Sequence, residues 1–595
     1  MTSIADSTPL LEGVQDADSE QSERQLSYAD EDVRYRTLAV AWVATATVVR
    51  FLCVATLPLG NGEAYYYSWS RFLDWSYYDH PPLVAWMVRA TTLFGASPAT
   101  VRLGPVLAAG LFGLLFHRLA ARLVRPRAAF FALILVTAIP VFLASSFILN
   151  PEAPLAPLWV GFLLVIEAMR EKNNRYLPLL AGVLLGVAFL AKYTAVLLVP
   201  TVFLYLIASP PMRRWLRQPT LYVGGAIALA IASPVILWNQ ARGWPSLHLH
   251  LVERASAVQV AGENTINQLV QIASSSGGSG FIEGLSRVVV GQVMSYSPLL
   301  APLLILGLVR VLRGSRTNDN DRFLAAFSWP ILVLLLIVMT QLKDSEQHWT
   351  MVAFIPAAIA AGRIVDAAWS KRRSEGLPST ARGVRLLATL GVGLSGLLFV
   401  VGNIHARTTA LLHLIPEGHY DPRADMINEL NGWDQIRTSL TQAATAAAAP
   451  GGGPAAQALV PAAYELSRDG TGSGTGTTHA SSPASKIPGN VVLASNHYAL
   501  CARMFFELGD DPPVYCPTAR RSAFDFFARR DPPEGATVIA LTTDIHPELP
   551  EGLAGRSCPV SDQVDIMRGG RRVARYYVRS CAPVGSDSTL RASRE

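Results

Sequence analysis

Charged side chains are scarce in this chain: they make up 16% of its 595 residues, against 51% that are hydrophobic. A water-soluble globule of this size needs more charge than that, and the positive mean hydropathy of +0.30 marks a chain threaded repeatedly through a bilayer. The five cysteines include no pair at zinc-ligand spacing. The sequence holds neither a phosphate loop ending Gly-Lys-Ser/Thr nor a His-Glu-x-x-His motif, and no internal repeat of the kind transporters carry is evident. Residues 1–33 are acidic and polar without an apolar core, which predicts a disordered cytoplasmic tail and no cleavable signal peptide. The pI of about 9.1 then reflects basic connections between spans, with no nucleic-acid partner.

What is present is a series of apolar runs long enough to cross about 30 Å of hydrocarbon. They lie near Leu38–Leu57, Val101–Leu119, Ala128–Leu149, Ala153–Met169, Leu177–Leu190, Ala195–Ala208 and Leu221–Leu237. Four more follow near Val288–Val311, Phe323–Gln341, Met351–Ala367 and Leu386–Val401. The reading is a polytopic α-helical membrane protein of roughly eleven spans. Arg122, Arg125, Arg127, then Arg170, Lys172, Arg175, then Arg213, Arg214, Arg217, and later Arg313, Arg316, Arg322 and Lys371–Arg373 fall on alternate connections. Positive charge stays inside, so these predict a cytoplasmic N-terminus. The opposite connections carry Glu63, Asp79, Glu152, Lys192, Arg242, His248, Asp344, Glu346 and His348. One face anchors; the other holds acids, histidines and aromatics suited to chemistry.

The membrane part is expected over 34–404 and a small mixed α/β extracytoplasmic domain over 405–595. Short apolar runs at 491–493, 537–541 and 573–578 predict its strands, and a Gly/Ser/Thr/Ala-rich stretch at about 442–488 predicts a flexible insertion. Cys501, Cys516, Cys558 and Cys581 fall in this domain, and their three possible pairings stay open.

Between the first span and Val101, about forty residues read as two interfacial helices. Glu63, Tyr66, Tyr67 and Ser70 recur at helical spacing in the first. Leu83, Trp86, Met87, Ala90, Leu93 and Phe94 form an apolar face in the second, with Pro81 and Pro82 in its first turn. Asp79 and His80 are delivered at its N-terminal end, where a helix favours an anion. Ionisable residues at a membrane are expensive and point to function. Arg50 inside the first span suits a phosphate contact, snorkelling or an acid partner. Lys192, interrupting an apolar passage, suits phosphate oxygens. Arg242, His248, His250 and Arg254 stand on the long connection after the seventh span.

The runs Glu63-Ala64-Tyr65-Tyr66-Tyr67-Ser68-Trp69-Ser70 and Trp75 through Asp79-His80-Pro81-Pro82 to Trp86 resemble the first external loop of the integral-membrane GT-C glycosyltransferases. They are most similar to the bacterial branch grouped with protein O-mannosyltransferases and aminoarabinose transferases. Asn150-Pro151-Glu152-Ala153-Pro154, Ala191-Lys192-Tyr193, Ser233-Pro234 through Gly243-Trp244, and His348-Trp349 follow in the order that branch shows.

The resemblance implies transfer of a sugar, with inversion, from an outward-facing polyprenyl phosphate to a hydroxyl of a cell-envelope acceptor, lipid, polysaccharide or protein, at the bacterial inner membrane. It implies a base, here Glu63 or Glu152, with Glu63 favoured. It implies donor contacts among Lys192, Asp79, His80, Tyr66, Tyr67, Arg50, Arg242 and His348. The family begins its motif Asp-Glu-Ala-Tyr-Tyr, whereas this chain has Gly62 before Glu63, and Glu152 stands where relatives carry aspartate. A divalent cation at Asp79 and His80 is possible; the sequence itself establishes no cofactor. The competing readings are a non-catalytic binder of lipid-linked sugar and, further off, a lipid or sugar transporter. The expectation that decides between them is convergence of Glu63, Asp79, Glu152 and Lys192 in one pocket beside the bilayer.

Overall fold

The computed structural model describes residues 8–254, 281–342, 345–370, 379–449 and most of 487–582. The insertion beyond residue 449, Asp344 and the Lys371–Arg373 anchor lie outside the described residues. The fold is that of a multi-pass helical membrane protein with a C-terminal sheet domain.

The membrane part opens with α1 (Thr8–Val54), α2 (Asn61–Arg71), α3 (Leu83–Thr91), α4 (Pro98–Leu123) and α5 (Pro126–Ala138). It continues with α6 (Pro140–Ser145), α7 (Glu152–Glu171), α8 (Leu177–Ala191), α9 (Leu198–Ala208) and α10 (Pro219–Ala241). Among the described residues seven helices are long and apolar enough to cross a membrane, and eight if the bent pair at Tyr193–Arg217 counts as one span. The expected eleven is therefore too high by this measure. Prolines and polar breaks divide several apolar runs into shorter helices. The 128–149 run breaks between α5 and α6, where Pro140 cannot donate to the preceding turn. The 288–311 run divides into the helices Phe281–Ser295 and Ala301–Gly314, and α8 is only 15 residues long. At the other end α1 extends back to Thr8, so much of the tail expected to be disordered is helical.

The interior gathers around α7 and the alanine-rich helix Met351–Ser370, whose most apolar windows are each 83% buried, against 17% for the helix Ser379–Arg407. Small residues draw helices together where lipid supplies no hydrophobic drive. At the α8–α10 crossing a Cβ on Gly182 would stand 2.0 Å from the Gly224 carbonyl oxygen, so the two backbones touch only because neither position has a side chain.

Two layers of ionic contacts mark the ends of this bundle. At the far end of α7, Arg122 meets Glu167 and Glu171, Arg127 meets Asp366, and Arg363 meets Asp321. The Asp319-Asn320-Asp321 run belongs to this layer and starts a helix capped by Asn318. Asp321 turns inward to Arg363, while Asp319 stays exposed beside Arg322. Glu152, at the start of α7, belongs to the other layer. The 20 residues of α7 span about 30 Å at 1.5 Å per residue, the thickness of the hydrocarbon core.

α3 turns Val84, Ala85 and Val88 inward, while Leu83, Trp86 and Met87 of the apolar face read from sequence are half-buried and Ala90, Leu93 and Phe94 are exposed. α2 is not a surface helix. Glu63, Ala64, Tyr65, Tyr67, Trp69 and Ser70 are all buried, because the C-terminal domain covers them. One apolar core runs from Leu59, Tyr65, Trp69 and Val88 into Trp433, Ile436, Phe505 and Val578.

That domain carries a five-stranded sheet ordered β2–β1–β3–β5–β4, with β1 (Val491–Ala494), β2 (Val514–Tyr515), β3 (Thr537–Thr543), β4 (Val560–Arg568) and β5 (Arg571–Cys581). β1 pairs in parallel with β2 and β3; β5 is antiparallel to β3 and β4. The helix Trp433–Ala448 runs into the stretch expected to be flexible. The cysteines pair Cys501–Cys516 and Cys558–Cys581, leaving Cys53 free.

Candidate active site

Glu63 stands in the first turn of α2, and its carboxylate is fully engaged. It reaches back to accept the Gly60 amide at 2.9 Å and the Leu149 amide at 3.2 Å. Arg102 of α4 grips both oxygens, at 2.9 Å from Nε and 2.5 Å from Nη2. The same guanidinium donates to the carbonyls of Val54, Leu57 and Pro58. Glu63 thus ties the end of α1 to the start of α2, and through Leu149 it braces the loop that enters α7. Arg102 was not singled out from the sequence, although an arginine inside an apolar run calls for an anion partner.

Three residues further along that loop, Glu152 starts α7 with its side chain buried. Its Oε1 meets Lys192 Nζ and His348 Nε2, the latter at 2.9 Å. Its Oε2 is buried with no hydrogen-bond partner among the described residues. Lys192 occupies the break between α8 and the turn that follows, extended at φ −157°, and this break turns an ammonium inward beneath 6% exposure. His348 also meets Glu346 at 3.3 Å through Nδ1. Burial alone would push the Glu346 carboxyl up, but His348, Arg254 and Lys192 outweigh it and hold it below its ordinary value.

Arg254 completes the ring of charge. It faces Glu346 at 3.7 Å and lies over the Trp349 ring at 5.2 Å, and its Nε and Nη1 are buried without a partner among the described residues. A buried cation with unspent donors beside an ammonium suits an incoming oxyanion.

Asp79 and His80 roof this cluster. Tyr65 donates its hydroxyl to Asp79 Oδ2 at 2.7 Å and accepts the amide of Ala523, in the C-terminal domain, at 2.6 Å. His250 meets the Asp79 carbonyl at 2.9 Å, and its ring lies 6.0 Å from that of His80. Burial, then Lys192 and His250, push His80 well below its usual range. Burial and Arg254 bring His250 down to about 4, so both rings are neutral at pH 7. Tyr66 lies 6.3 Å from His80; burial, then Asp79, Glu346 and Glu152, push its phenol well above the usual value.

The structure thus brings together Asp79, His80, Glu152, Lys192, Tyr66 and His348, and adds His250, Arg254 and Glu346. Glu63 stands one layer behind them. Tyr67 packs edge-on against Phe506, outside the cluster. Arg242 meets Asp74 at 3.2 Å and lies over Trp238, also outside it. Arg50 lines a small hollow of about 30 Å³ that reaches Glu152, together with Thr137, Ser146 and Met351. Among the described residues no group of three or more His, Cys, Asp or Glu is arranged to hold a metal ion.

Comparison with known proteins agrees with this picture. The family model described as dolichyl-phosphate-mannose-protein mannosyltransferase matches residues 79–238. Lipid A galacturonosyltransferase RgtD of Rhizobium johnstonii is 27% identical over 345 residues, 58% of this chain and 65% of that protein. The match therefore spans just under two thirds of that relative's length. The crystal structure of ArnT from Cupriavidus metallidurans in the apo state superposes with a TM-score of 0.51 at 16% identity, covering 91% of this chain and 98% of that one. The same protein bound to undecaprenyl phosphate matches equally well at 15% identity over the same shares. The GT-C resemblance read from the first external loop is borne out, in the fold and in the family model alike.

Proposed function

We propose that this chain, as a GT-C glycosyltransferase homologue, transfers a sugar from an outward-facing polyprenyl phosphate to a hydroxyl of a lipid A-like envelope acceptor, inverting the anomeric carbon. The observation that carries the reading is the pairing of one unengaged carboxylate oxygen, Glu152 Oε2, with two inward-facing cations, Lys192 and Arg254, at one end of a membrane bundle. ArnT's complex with undecaprenyl phosphate and RgtD's lipid A substrate support the donor and acceptor classes.

In this reading the acceptor oxygen attacks the anomeric carbon while the bond to the phosphate oxygen breaks. The bonding pair leaves with the phosphate, whose charge Lys192 and Arg254 neutralise. The acceptor proton goes to Glu152 Oε2. Lys192 exchanges its contact with Glu152 for the phosphate when donor arrives. His348, held between Glu346 and Glu152, keeps the carboxylate in place, and Asp79, His80 and Tyr66 offer hydrogen bonds to the sugar. Glu63 holds the scaffold with Arg102 and is not the base. The site faces away from the cytoplasm of a bacterial inner membrane, since the Arg122, Arg127 and Arg363 layer lies at the opposite end of α7.

The test is turnover. Purified chain in bilayer discs, supplied with labelled polyprenyl-phosphate sugar and a lipid A-type acceptor, releases polyprenyl phosphate, and Glu152→Gln does not. Retention of the labelled lipid without release by the unaltered protein would instead identify a binder. The glycine at position 62 favours that second reading.

A further inference from the structure

Two partners share one oxygen of the buried Glu152 carboxylate: Lys192 Nζ and His348 Nε2 both meet Oε1. In the transfer reaction proposed above, Lys192 leaves that oxygen for the donor phosphate. A buried carboxylate stripped of its cation is costly unless another positive charge takes the vacated place. His348 is placed to supply it. Its Nε2 lies 2.9 Å from Glu152 and its Nδ1 3.3 Å from Glu346. A neutral imidazole has one N–H and donates to only one of these carboxylates, whereas the imidazolium donates to both.

The charges that face His348 give that second form a reason to appear. Asp79, Glu152 and Glu346 are the acids of the cluster. Its cations are Lys192 and Arg254, with Arg50 beyond Glu152 across the small hollow. His80 and His250 are neutral at pH 7, and the Tyr66 phenol keeps its proton. Outside this group Arg287, on the helix Phe281–Ser295 packed against the same turn, donates to the Leu342 carbonyl. Three acids therefore meet three cations while His348 is neutral, and an arriving phosphate adds a negative charge that nothing yet balances. Exposure decides where a proton can enter: the side chains of His348 and Glu346 are 29% and 32% exposed, and that of Glu152 only 3%.

Resting on the reading that Lys192 turns to the phosphate, we infer that His348 takes up a proton from solvent as the donor binds, and that the imidazolium replaces Lys192 as the counter-ion of Glu152. His348 is thus a positioning residue, acting on the acceptor through Glu152. Donor affinity is thereby linked to pH. A proton gained on binding makes binding weaker as pH rises, by up to ~10-fold per unit.

The experiment titrates a short-chain polyprenyl methyl phosphate into the full chain in bilayer discs. This diester keeps one negative charge across the neutral range and brings no proton balance of its own. Calorimetry in two buffers of unlike ionisation enthalpy counts the protons exchanged, and Kd is followed from about pH 6.5 to 8.5, where an ordinary histidine loses its charge. Unaltered protein should take up ~0.5–1 proton and bind at least ~3-fold more weakly per unit of pH. His348→Gln can donate to one carboxylate but cannot gain a charge, so it should take up less than ~0.2 proton, lose at least ~10-fold in affinity at the acid end and show a flat Kd. Uptake that persists in His348→Gln would assign the proton to Glu152 or another group and overturn the inference, as would binding by unaltered protein without uptake. Both results leave Lys192 standing as the phosphate ligand. If the probe is not retained at all, the phosphate reading falls and this inference with it. Thermal melting checks that His348→Gln is folded, and the proton count on unaltered protein decides independently of that variant.

Discussion

Replacing Glu152 by glutamine and replacing Glu63 by glutamine should fail in different ways. Glu152→Gln keeps an oxygen for Lys192 and His348 but removes the buried anion opposite Lys192, so some melting temperature is lost, while transfer by the protein that remains folded drops by at least ~100-fold, the range of a lost general base. Glu63→Gln leaves Arg102 buried without its anion, at a cost of about 3–5 kcal/mol. Poor yield and a lowered melting temperature are expected, and Glu63→Gln with Arg102→Met should recover part of the loss. The sequence displays both carboxylates and gives no sign of which one is spoken for, because Arg102 lies in the next span and pairing depends on how two helices cross. Gly62 offers a third probe. A Cβ there meets nothing within 4 Å, and an acid suits the first turn of a helix. Gly62→Asp should therefore fold with an unchanged or slightly raised melting temperature. Its transfer rate in a Glu152→Gln background shows whether the family's acid can be restored: recovery above Glu152→Gln alone is the expected result, and no recovery would place that side chain outside the reacting geometry.

At the scale of elements, the contact between the first loop and the C-terminal domain should depend on pH. Burial raises the Glu429 carboxyl to about 7, with Arg503 and the Asn61 amide pulling the other way, and its Oε1 stands where a Cβ on Gly60 would be, 2.8 Å away. A carboxyl whose folded pKa lies above its unfolded value contributes stability below the unfolded value and loses it as pH rises through the folded one. Between roughly pH 4.5 and 7 this amounts to at most about 3 kcal/mol. Glu429→Gln, which mimics the protonated form, should gain melting temperature relative to unaltered protein as pH rises from about 5 to 8. A constant difference across that range would remove Glu429 from the account. His250 runs the other way: held at about 4, it costs stability as pH falls below its usual 6.5, so it does not produce the same trend. Elements were legible where a run of apolar residues is unbroken, as in α4, α7 and α10. The division at Lys192 was legible too; the misread runs are those that break at Pro140 and between Ser295 and Ala301, since hydropathy sums composition and does not register a missing amide. β4, with its exposed Val560, Asp562 and Gln563 at a sheet edge, has too little alternation to announce a strand.

Across the whole molecule, the two disulfides lie on opposite faces of the sheet and should differ in consequence. Cys501 and Cys516 belong to the core shared with the first loop, and Cys558 and Cys581 to the core on the other face. Exchanging Cys501 and Cys516 for serine should cost about 3 kcal/mol for a loop of this length and slow transfer as the docking face loosens. Exchanging Cys558 and Cys581 should lower the melting temperature with little change in rate. Transfer equally slowed by both would mean that the sheet acts as one rigid block. This division could not be read in the sequence, where four cysteines allow three pairings and none points to a face. The docking itself was hidden for the same reason: the tyrosines of α2 look like an interfacial belt until Tyr65 is found holding Ala523.

That single bond also sets an order of events during synthesis. Tyr65 is made early and waits for a residue 458 positions later, just as the Leu59 carbonyl waits for Arg503. A nascent chain with every helix already inserted still lacks these contacts, so Tyr65, and with it Asp79, is locked in place only once the last sheet has closed.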